Sequence, residues 1–311
     1  MTLRERLRRV PGAQATWRWG NRAARRYGWH PSFDDADPKT ALRMGYDVML
    51  GRKPDPVGTA DFLPRLRSGE LDGRAFLRVL KESDEFNRWP SFGESIHAGR
   101  RQFIRSLPKA ERILDLGGSA IGAVEGAMVV MGYPYSFKEL VIIDLPDEDR
   151  HEIYRTERRP DEVETRLGTV RYRYHSMTDL TEYDDSSFDL VYSGQTIEHV
   201  SRADGASVFS QVHRVLSPGG HFALDTPNAR VTRIQQDEFI DPDHKVEYQL
   251  HELVAMAADS GLEVVDTKGL NYAPRSVATG RFDAEEATAR SGVFAEAADC
   301  YILCLVLRKP D

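Results

Sequence analysis

Residues 112–122 read RILDLGGSAIG, a short apolar run that ends in closely spaced glycines. An apolar run followed by Gly117 and Gly118 is typical of a buried β-strand that turns tightly into a helix. Glycine at such a turn lets the backbone approach a ligand, and the helix that follows presents N–H groups without intrahelical partners. The segment therefore predicts the first strand and a ligand-binding turn of an α/β sheet, with Asp115 near the mouth of that strand.

Four further apolar runs follow, separated by helical or loop patterns. Runs that are apolar throughout indicate strands buried on both faces of a parallel sheet. The helix before the last of these strands has an apolar stripe, and Pro218-Gly219-Gly220 is expected to end it. The predicted strands are ELVIIDL (139–145), TVRYRYHS (169–176), SFDLVYS (187–193) and HFALDTP (221–227), and the stripe consists of Val208, Phe209, Val212, Val215 and Leu216.

The alternation of strands and helices stops after residue 228. A polar insertion over about 228–248 and an irregular stretch over 271–297 are expected to lie over the active site. Two strands in succession near the C-terminus, with no helix between them, predict an antiparallel pair. Cys300 and Cys304 lie in the last strand, more than about 10 Å apart at 3.3 Å per residue, so they are predicted to be buried thiols.

The part of the chain before the first strand shows helical spacing only. Residues 41–87 predict helices around one tight connection, with Phe76, Leu77, Val79, Leu80 and Phe86 at helical spacing. The predicted boundary lies near residue 90, in NRWPSFGES. It separates a small all-α module with an Arg-rich start (1–90) from an α/β domain (91–311).

Charge is distributed unevenly along the 311 residues. The net charge of the whole chain is −7. Residues 1–30 carry a charge of +7, so the remaining residues carry −14. An acidic body argues against nucleic acid as the substrate. The Arg-rich start, which also carries three tryptophans, is compatible with contact to a membrane surface or an anionic polymer, and equally with a solvated helix packed on the body. No apolar run is long enough for a membrane span or a signal peptide, so the expected location is the cytoplasm. Nothing in the sequence indicates an oligomeric state.

Asp144 ends the second predicted strand. A carboxylate at that position can accept both hydroxyls of a ribose. The glycine turn and this acid fit a nicotinamide dinucleotide enzyme as well as any other adenosine-binding fold, and a tight turn with a helix-capping acid would look similar.

Five motifs taken in order resemble the class I S-adenosylmethionine-dependent methyltransferases: ILDLGGSAIG, VIIDLP, DDSSFDLVYSGQTIEHV, VLSPGG and the terminal strand pair. The resemblance covers about residues 95–308. It implies a Rossmann-like, seven-stranded, mostly parallel sheet with a terminal antiparallel pair, and S-adenosylmethionine as cofactor. The glycine turn departs from the usual pattern at Ser119 and Ile121. Met177 stands where the family commonly has an acid, which implies apolar packing on the adenine, with Thr178 or Asp179 as its hydrogen-bond partner. The cofactor-binding residues implied are Asp115, Gly117, Gly118, Ser119, Gly122, Asp144, Met177, Thr178 and Ser193.

Methyl transfer to a hydroxyl needs a positioned proton acceptor, because the pKa of a sugar or alcohol hydroxyl lies far above 7. The candidates lie in two places, Glu198 and His199 after the fourth strand, and His244, Glu247 and Tyr248 within DPDHKVEY (241–248). We predict that the base comes from the pair His199 and His244, with Glu198 orienting the imidazole or the acceptor. A carboxylate base, Glu198 or Glu247, is an alternative. A divalent cation at Asp241, Asp243 and His244 is another, although D-P-D-H is more often an ordinary turn.

Two segments resemble parts of enzymes that act on glycans. Residues 49–86 are similar to helical modules fused to enzymes of bacterial envelope polysaccharides, and LDTPNAR followed by DHKVEYQLHEL resembles the fifth-strand region of glycan methyltransferases. By this analogy the acceptor is a hydroxyl of a saccharide, polysaccharide or glycolipid precursor. Two alternatives stay open, a small non-sugar metabolite as acceptor, or a non-catalytic methyltransferase-like scaffold in polysaccharide assembly.

Overall fold

The computed structural model describes residues 37–50, 53–120, 123–146, 149, 159–241 and 243–311. The Arg-rich start and Gly122 lie outside these residues. The chain divides into two compact units, Met1–Glu94 and Ser95–Asp311. The stretch in which the sequence placed the boundary is not an open linker, because it lies within one helix, Asp84–Arg105.

The described residues of the first unit form three helices and the start of a fourth, where the sequence predicted helices around a single connection. Asp55 accepts a hydrogen bond from the Gly58 N–H and caps the second helix, and Gly69, with φ of 76°, ends it. Asp72 caps the third helix in the same way through the Ala75 N–H. The helices are α1 (Pro38–Leu50), α2 (Pro56–Ser68), α3 (Gly73–Glu82) and α4 (Asp84–Arg105).

A small apolar core holds the first unit together. Of the predicted apolar positions on α3, Phe76 and Leu80 are buried as expected, whereas Val79 is exposed. The core consists of Leu42, Tyr46, Leu50, Leu66, Leu71, Phe76 and Leu80.

The described residues of the second unit form one mixed sheet of nine strands, two more than predicted. In the order of the sheet, the strands are β3, β4, β2, β1, β5, β6, β9, β7 and β8. Their bounds are β1 (Arg112–Leu116), β2 (Glu139–Asp144), β3 (Glu162–Glu164), β4 (Thr169–Tyr174), β5 (Phe188–Gly194), β6 (Leu216–Pro227), β7 (Glu263–Tyr272), β8 (Val293–Phe294) and β9 (Cys300–Arg308).

The parallel centre of the sheet and the antiparallel end are both confirmed. Strands β4, β2, β1, β5 and β6 run parallel, and β9 pairs antiparallel with both β6 and β7. The two unpredicted strands, β3 and β8, pair antiparallel at the two edges. This order places the carboxyl ends of β1, β5 and β6 side by side, and ligands of open α/β sheets bind at such an edge.

Helix α6 (Arg202–Val215) carries four of the five residues of the predicted stripe, and all five are fully buried. The helix ends at Val215, however, before the Pro-Gly-Gly turn. Leu216 is already the first residue of β6 and pairs with Phe188 of β5. The helices of the second unit are α5 (Ala127–Val130), α6 (Arg202–Val215), α7 (Ala229–Gln235), α8 (Leu250–Asp259), α9 (Pro274–Thr279) and α10 (Ala284–Ala289).

The stretch over 271–297, predicted to be irregular, contains α9, α10 and β8. Glu286 in α10 is buried and accepts hydrogen bonds from the backbone N–H of Arg275 and the hydroxyl of Ser276, so the two short helices are held together by one carboxylate. Cys300 and Cys304 are buried and free, as predicted. Within the described part of the chain, no helix has the length and apolar character needed to cross a bilayer.

Candidate functional site

The glycine turn after β1 surrounds a buried acid. Asp115 is 1% exposed, and neither of its carboxylate oxygens has a hydrogen-bond partner among the described residues. A methyl group on Gly118 would come within 2.1 Å of Asp115 Oδ2, so only glycine leaves room for this carboxylate. Burial raises the pKa of Asp115 to about 8, although the charge of Arg100 works against it.

Residues at the end of β5 and just after it support the glycine turn. Gly117 has φ of 79°, and a methyl group there would come within 2.0 Å of Thr196 Cγ2. The Thr196 hydroxyl donates to the Leu116 carbonyl at 2.7 Å and lies 3.0 Å from the Ser193 hydroxyl. Ser193 is fully buried. Ser193 supports the turn through Thr196, and its contact with the cofactor stays a prediction.

Three further predicted cofactor residues, Asp144, Met177 and Thr178, lie at or just beyond the ends of β2 and β4. Asp144 ends β2, and its carboxylate accepts from the Leu145 N–H. Met177 is partly buried against the main core. The Thr178 side chain bonds the Ser176 hydroxyl at 2.8 Å. The carboxylate of the exposed Asp179 accepts from both the N–H and the hydroxyl of Thr181.

A buried ion pair that the sequence did not predict lies at the same edge. Arg100 Nε in α4 donates to Asp225 Oδ1 in β6 at 2.7 Å, and the two side chains are 9% and 0% exposed. Asp225 also accepts from the Tyr192 hydroxyl and from Gln195 Nε2. Burial alone would lower the pKa of Arg100, but the charge of Asp225 raises it. Gln195 has φ of 59°, an unusual conformation for a residue with a side chain, and so joins the network under strain.

The sequence contains one signal that could have found this network. Asp225 interrupts HFALDTP, an otherwise apolar strand that is buried on both faces. A charge in such a place requires a partner.

The three predicted catalytic residues meet in one cluster. Glu198 and His199 lie on a short 3-10 turn, Ile197–His199, that follows β5. The insertion after β6 is tied to this turn by two backbone bonds, because the N–H groups of Lys245 and Val246 both donate to the Glu198 carbonyl. The rings of His199 and His244 consequently lie 4.9 Å apart, nearly perpendicular.

Each imidazole in the cluster bonds a carboxylate through Nδ1. His199 pairs with Asp243 Oδ2 at 3.2 Å, and His244 pairs with Glu247 Oε1 at 3.0 Å. Burial would lower the pKa of His199, but the Asp243 bond and the charge of Glu198 raise it. Burial would raise the pKa of Glu247, but hydrogen bonds led by that from His244 lower it.

Glu198 is fully buried, and burial raises its pKa. Its Oε2 accepts from the Thr226 hydroxyl at 2.9 Å, whereas Oε1 has no hydrogen-bond partner among the described residues and lies 3.9 Å from His244 Nε2. The predicted cluster of Asp241, Asp243 and His244 does not form as such. Asp243 bonds His199, and Asp241 Oδ1 accepts from the Asp243 N–H in an ordinary turn.

Comparison with known proteins finds a family pattern in the second unit. The pattern of the methyltransferase domain family matches residues 114–224, which contain the glycine turn, Asp144 and the 3-10 turn. Residues 114–224 thus carry the pattern of an S-adenosylmethionine-dependent methyltransferase domain, in agreement with the resemblance seen in the sequence. S-adenosylmethionine is the cofactor of this family, as the resemblance implied.

Curated relatives match about a third of this chain. A probable S-adenosylmethionine-dependent methyltransferase of Mycolicibacterium smegmatis is 35% identical over 108 residues, which cover 35% of this chain and 41% of the relative. A ubiquinone biosynthesis O-methyltransferase of Pseudomonas syringae pv. tomato is 33% identical over 117 residues, which cover 34% of this chain and 50% of the relative. The chain thus spans half or less of the length of these relatives.

Solved structures of methyltransferases also resemble this chain. A Thermotoga maritima protein described as a possible histamine N-methyltransferase has a TM-score of 0.49 and 16% identity, covering 73% of this chain and 95% of its own.

The glycine turn after β1, called the donor turn from here on, fits S-adenosylmethionine on its own geometry. Asp115 offers a buried carboxylate without a hydrogen-bond partner, which suits the ammonium group of the methionyl part. Gly117 and Gly118 leave room for Thr196 and for the Asp115 carboxylate, so the turn keeps this acid in place.

Proposed function

We propose that this protein is an O-methyltransferase that uses S-adenosylmethionine to methylate a hydroxyl of a saccharide, polysaccharide or glycolipid precursor. The observation that carries the proposal is the pairing of two sites at one edge of the sheet. The donor turn holds Asp115 and packs against Thr196. Glu198 follows Thr196 by two residues and belongs to a cluster of imidazoles and carboxylates.

On the donor side, Asp115, Gly117 and Gly118 would hold the methionyl part and Asp144 the ribose. When bound, S-adenosylmethionine supplies an electrophilic methyl group on a sulfonium sulfur. The chain's own contribution is to hold this group still in a pocket from which water is largely excluded, because alignment accounts for much of the acceleration of such a displacement.

On the acceptor side, the cluster has the parts needed to take a proton from a hydroxyl. Imidazoles are suited to this at neutral pH. The carboxylates of Asp243 and Glu247 orient the two rings through Nδ1, as a base requires. Glu198 is placed to orient either a ring or the acceptor. The preference for a saccharide rests on the resemblance of residues 224–230 and 243–253 to glycan methyltransferases.

A second candidate is a hydroxyl of a small non-sugar metabolite. Several curated relatives are ubiquinone biosynthesis O-methyltransferases, and they favour an aromatic hydroxyl. The matched stretches are short, however, and the family pattern ends at residue 224, before the insertion that carries His244.

Transfer of radiolabelled methyl from S-adenosylmethionine to a panel of acceptors tests the proposal. The panel pairs oligosaccharides and glycolipids with catechols and other phenols. We expect label on a saccharide hydroxyl. Label on phenols only would favour the second candidate, and donor binding without transfer to any acceptor would favour a non-catalytic scaffold.

Removing the Asp144 carboxylate should weaken donor binding. Hydrogen bonds to a charged group contribute about 1.5–3 kcal/mol, so Asp144→Ala should raise the dissociation constant for S-adenosylhomocysteine by about 10- to 150-fold in calorimetry. Asp185→Ala, which removes an exposed carboxylate that pairs with Arg214 at the opposite end of β5, serves as the control and should change the constant less than twofold. Tight binding of a nicotinamide dinucleotide, with none of S-adenosylhomocysteine, would contradict the assignment of the site.

Donor binding should strengthen as pH rises from 6 to 8. The pKa of Asp115 in the free protein is about 8, whereas a bound ammonium group favours its ionised form. Each unit of pH below this pKa reduces the ionised fraction about tenfold, so the affinity for S-adenosylhomocysteine should be roughly 10- to 50-fold lower at pH 6 than at pH 8. Asp115→Asn should bind weakly and without this slope. A wild-type affinity independent of pH would show that Asp115 does not contact the donor.

The same pKa acts in the opposite direction on the stability of the free protein. Because the pKa of Asp115 is raised on folding, its contribution to stability is present below pH 4 and is lost as pH rises toward 8. Asp115→Asn should therefore increase the free energy of unfolding relative to wild type at pH 8 more than at pH 5.

A further inference from the structure

We propose that Glu198, His199 and His244 form a binding site for one divalent transition-metal ion. Each of the three residues offers one ligand atom, and these atoms lie within 4.8 Å of one another. A metal at about 2.0–2.2 Å from each atom would hold them roughly 3–3.5 Å apart. Small rotations of the side chains would therefore close the site.

The strongest indication is the environment of Glu198. Its Oε1 is fully buried, has no hydrogen-bond partner among the described residues, and points toward His244 Nε2 at 3.9 Å. A buried carboxylate oxygen without a partner is costly, and a cation is the ligand that relieves this cost best.

The surroundings of the two imidazoles have the arrangement found around metal-binding histidines. Such histidines almost always bond a carboxylate or carbonyl through the second ring nitrogen, which fixes the ring and its tautomer. Here His199 bonds Asp243 and His244 bonds Glu247. Glu247 is itself held by the Thr232 hydroxyl and by the Ile240 N–H, so this outer layer is built into the fold.

Charge and ligand type identify the class of ion. Three carboxylates, Glu198, Asp243 and Glu247, surround two imidazoles, so acidic groups outnumber basic ones and the cluster suits a cation. Two nitrogens and one oxygen favour zinc, cobalt or manganese over magnesium or calcium, which prefer oxygen ligands. This site differs from the Asp241, Asp243 and His244 set that the sequence suggested, because two of its ligands come from the turn after β5.

The site can be tested without donor or acceptor. The full chain, stripped with a chelator, is titrated with Zn²⁺ by calorimetry and with Co²⁺ by visible absorption, with Mg²⁺ as a comparison ion. We expect one Zn²⁺ per chain with micromolar or tighter affinity, cobalt bands typical of nitrogen and oxygen ligands, and much weaker binding of Mg²⁺.

Variants locate the ion. Glu198→Gln and His244→Ala should weaken Zn²⁺ binding by more than 100-fold, and Asp243→Asn, which removes an outer carboxylate, by roughly 10- to 100-fold. His251→Ala, an exposed histidine on α8, should leave it unchanged. Cooperative thermal unfolding shows that each variant is folded. If a variant does not fold, X-ray absorption of the Zn²⁺-loaded wild type decides the matter, because two imidazole ligands are expected.

Failure of the metal site and failure of the proposed function are distinguishable. Absence of stoichiometric Zn²⁺ and Co²⁺ binding, or binding that Glu198→Gln and His244→Ala leave intact, would overturn the metal site. Donor binding and methyl transfer would be unaffected by that outcome, and they are measured separately.

Discussion

Replacing Arg100 with Met should lower the free energy of unfolding by about 3–5 kcal/mol, because it leaves the Asp225 carboxylate buried without its countercharge. Both side chains are almost completely inaccessible to solvent. In a unit of this size such a loss corresponds to a drop in Tm of about 10 °C. Chemical denaturation at pH 7 gives the measurement.

Two further variants separate loss of charge pairing from general damage to α4. Arg101→Met changes the exposed neighbour on the same helix and should cost less than about 0.5 kcal/mol. Adding Asp225→Asn to Arg100→Met removes the unpaired charge and should recover most of the loss, since Tyr192 and Gln195 can still bond the amide. A double variant as unstable as Arg100→Met would contradict the account of Asp225 as the buried charge.

The centre of the sheet could be predicted because most of its strands are rich in apolar residues and the turn after β1 carries glycine. Strands β3 and β8 could not, since they have three and two residues and their burial is slight. Short edge strands form only because a longer neighbour offers free backbone groups. Helices α9 and α10 could not be predicted either, because they depend on hydrogen bonds to the single buried carboxylate of Glu286.

The candidate site could be predicted residue by residue, but its partnerships could not. Glu198 and His199 follow a strand, and His244 lies in an insertion, so each could be singled out from sequence. That His199 bonds Asp243, 44 residues away, depends on backbone bonds between the insertion and the turn after β5. The pairing of Arg100 with Asp225 spans 125 residues, and only the charge within the sixth strand indicated it.

Replacing His199 or His244 with Ala should lower kcat by about 10²- to 10⁴-fold, because the acceptor hydroxyl then lacks its proton acceptor or the group that organises it. Binding of S-adenosylhomocysteine should change less than about twofold, since the donor turn is built from other residues. His251→Ala is the matched control and should keep wild-type kcat. Should both single variants keep more than about a third of wild-type kcat across pH 6–9, neither histidine takes the proton, and Glu198 or Glu247 becomes the better candidate.

Rescue experiments decide which role the two histidines have. If an imidazole is the base, added imidazole should restore part of the activity of His199→Ala or His244→Ala, and a chelator should not affect wild type. If the imidazoles instead hold a metal ion, chelation should lower wild-type kcat to the level of the variants. Zn²⁺ or Mn²⁺ should then restore the chelated wild type fully, and the variants only at high metal concentration, because one ligand of three is missing. If the variants lose activity and neither imidazole nor metal restores it, the histidines position the acceptor. A double-mutant cycle between His244 and Glu247 would then show coupling through their hydrogen bond.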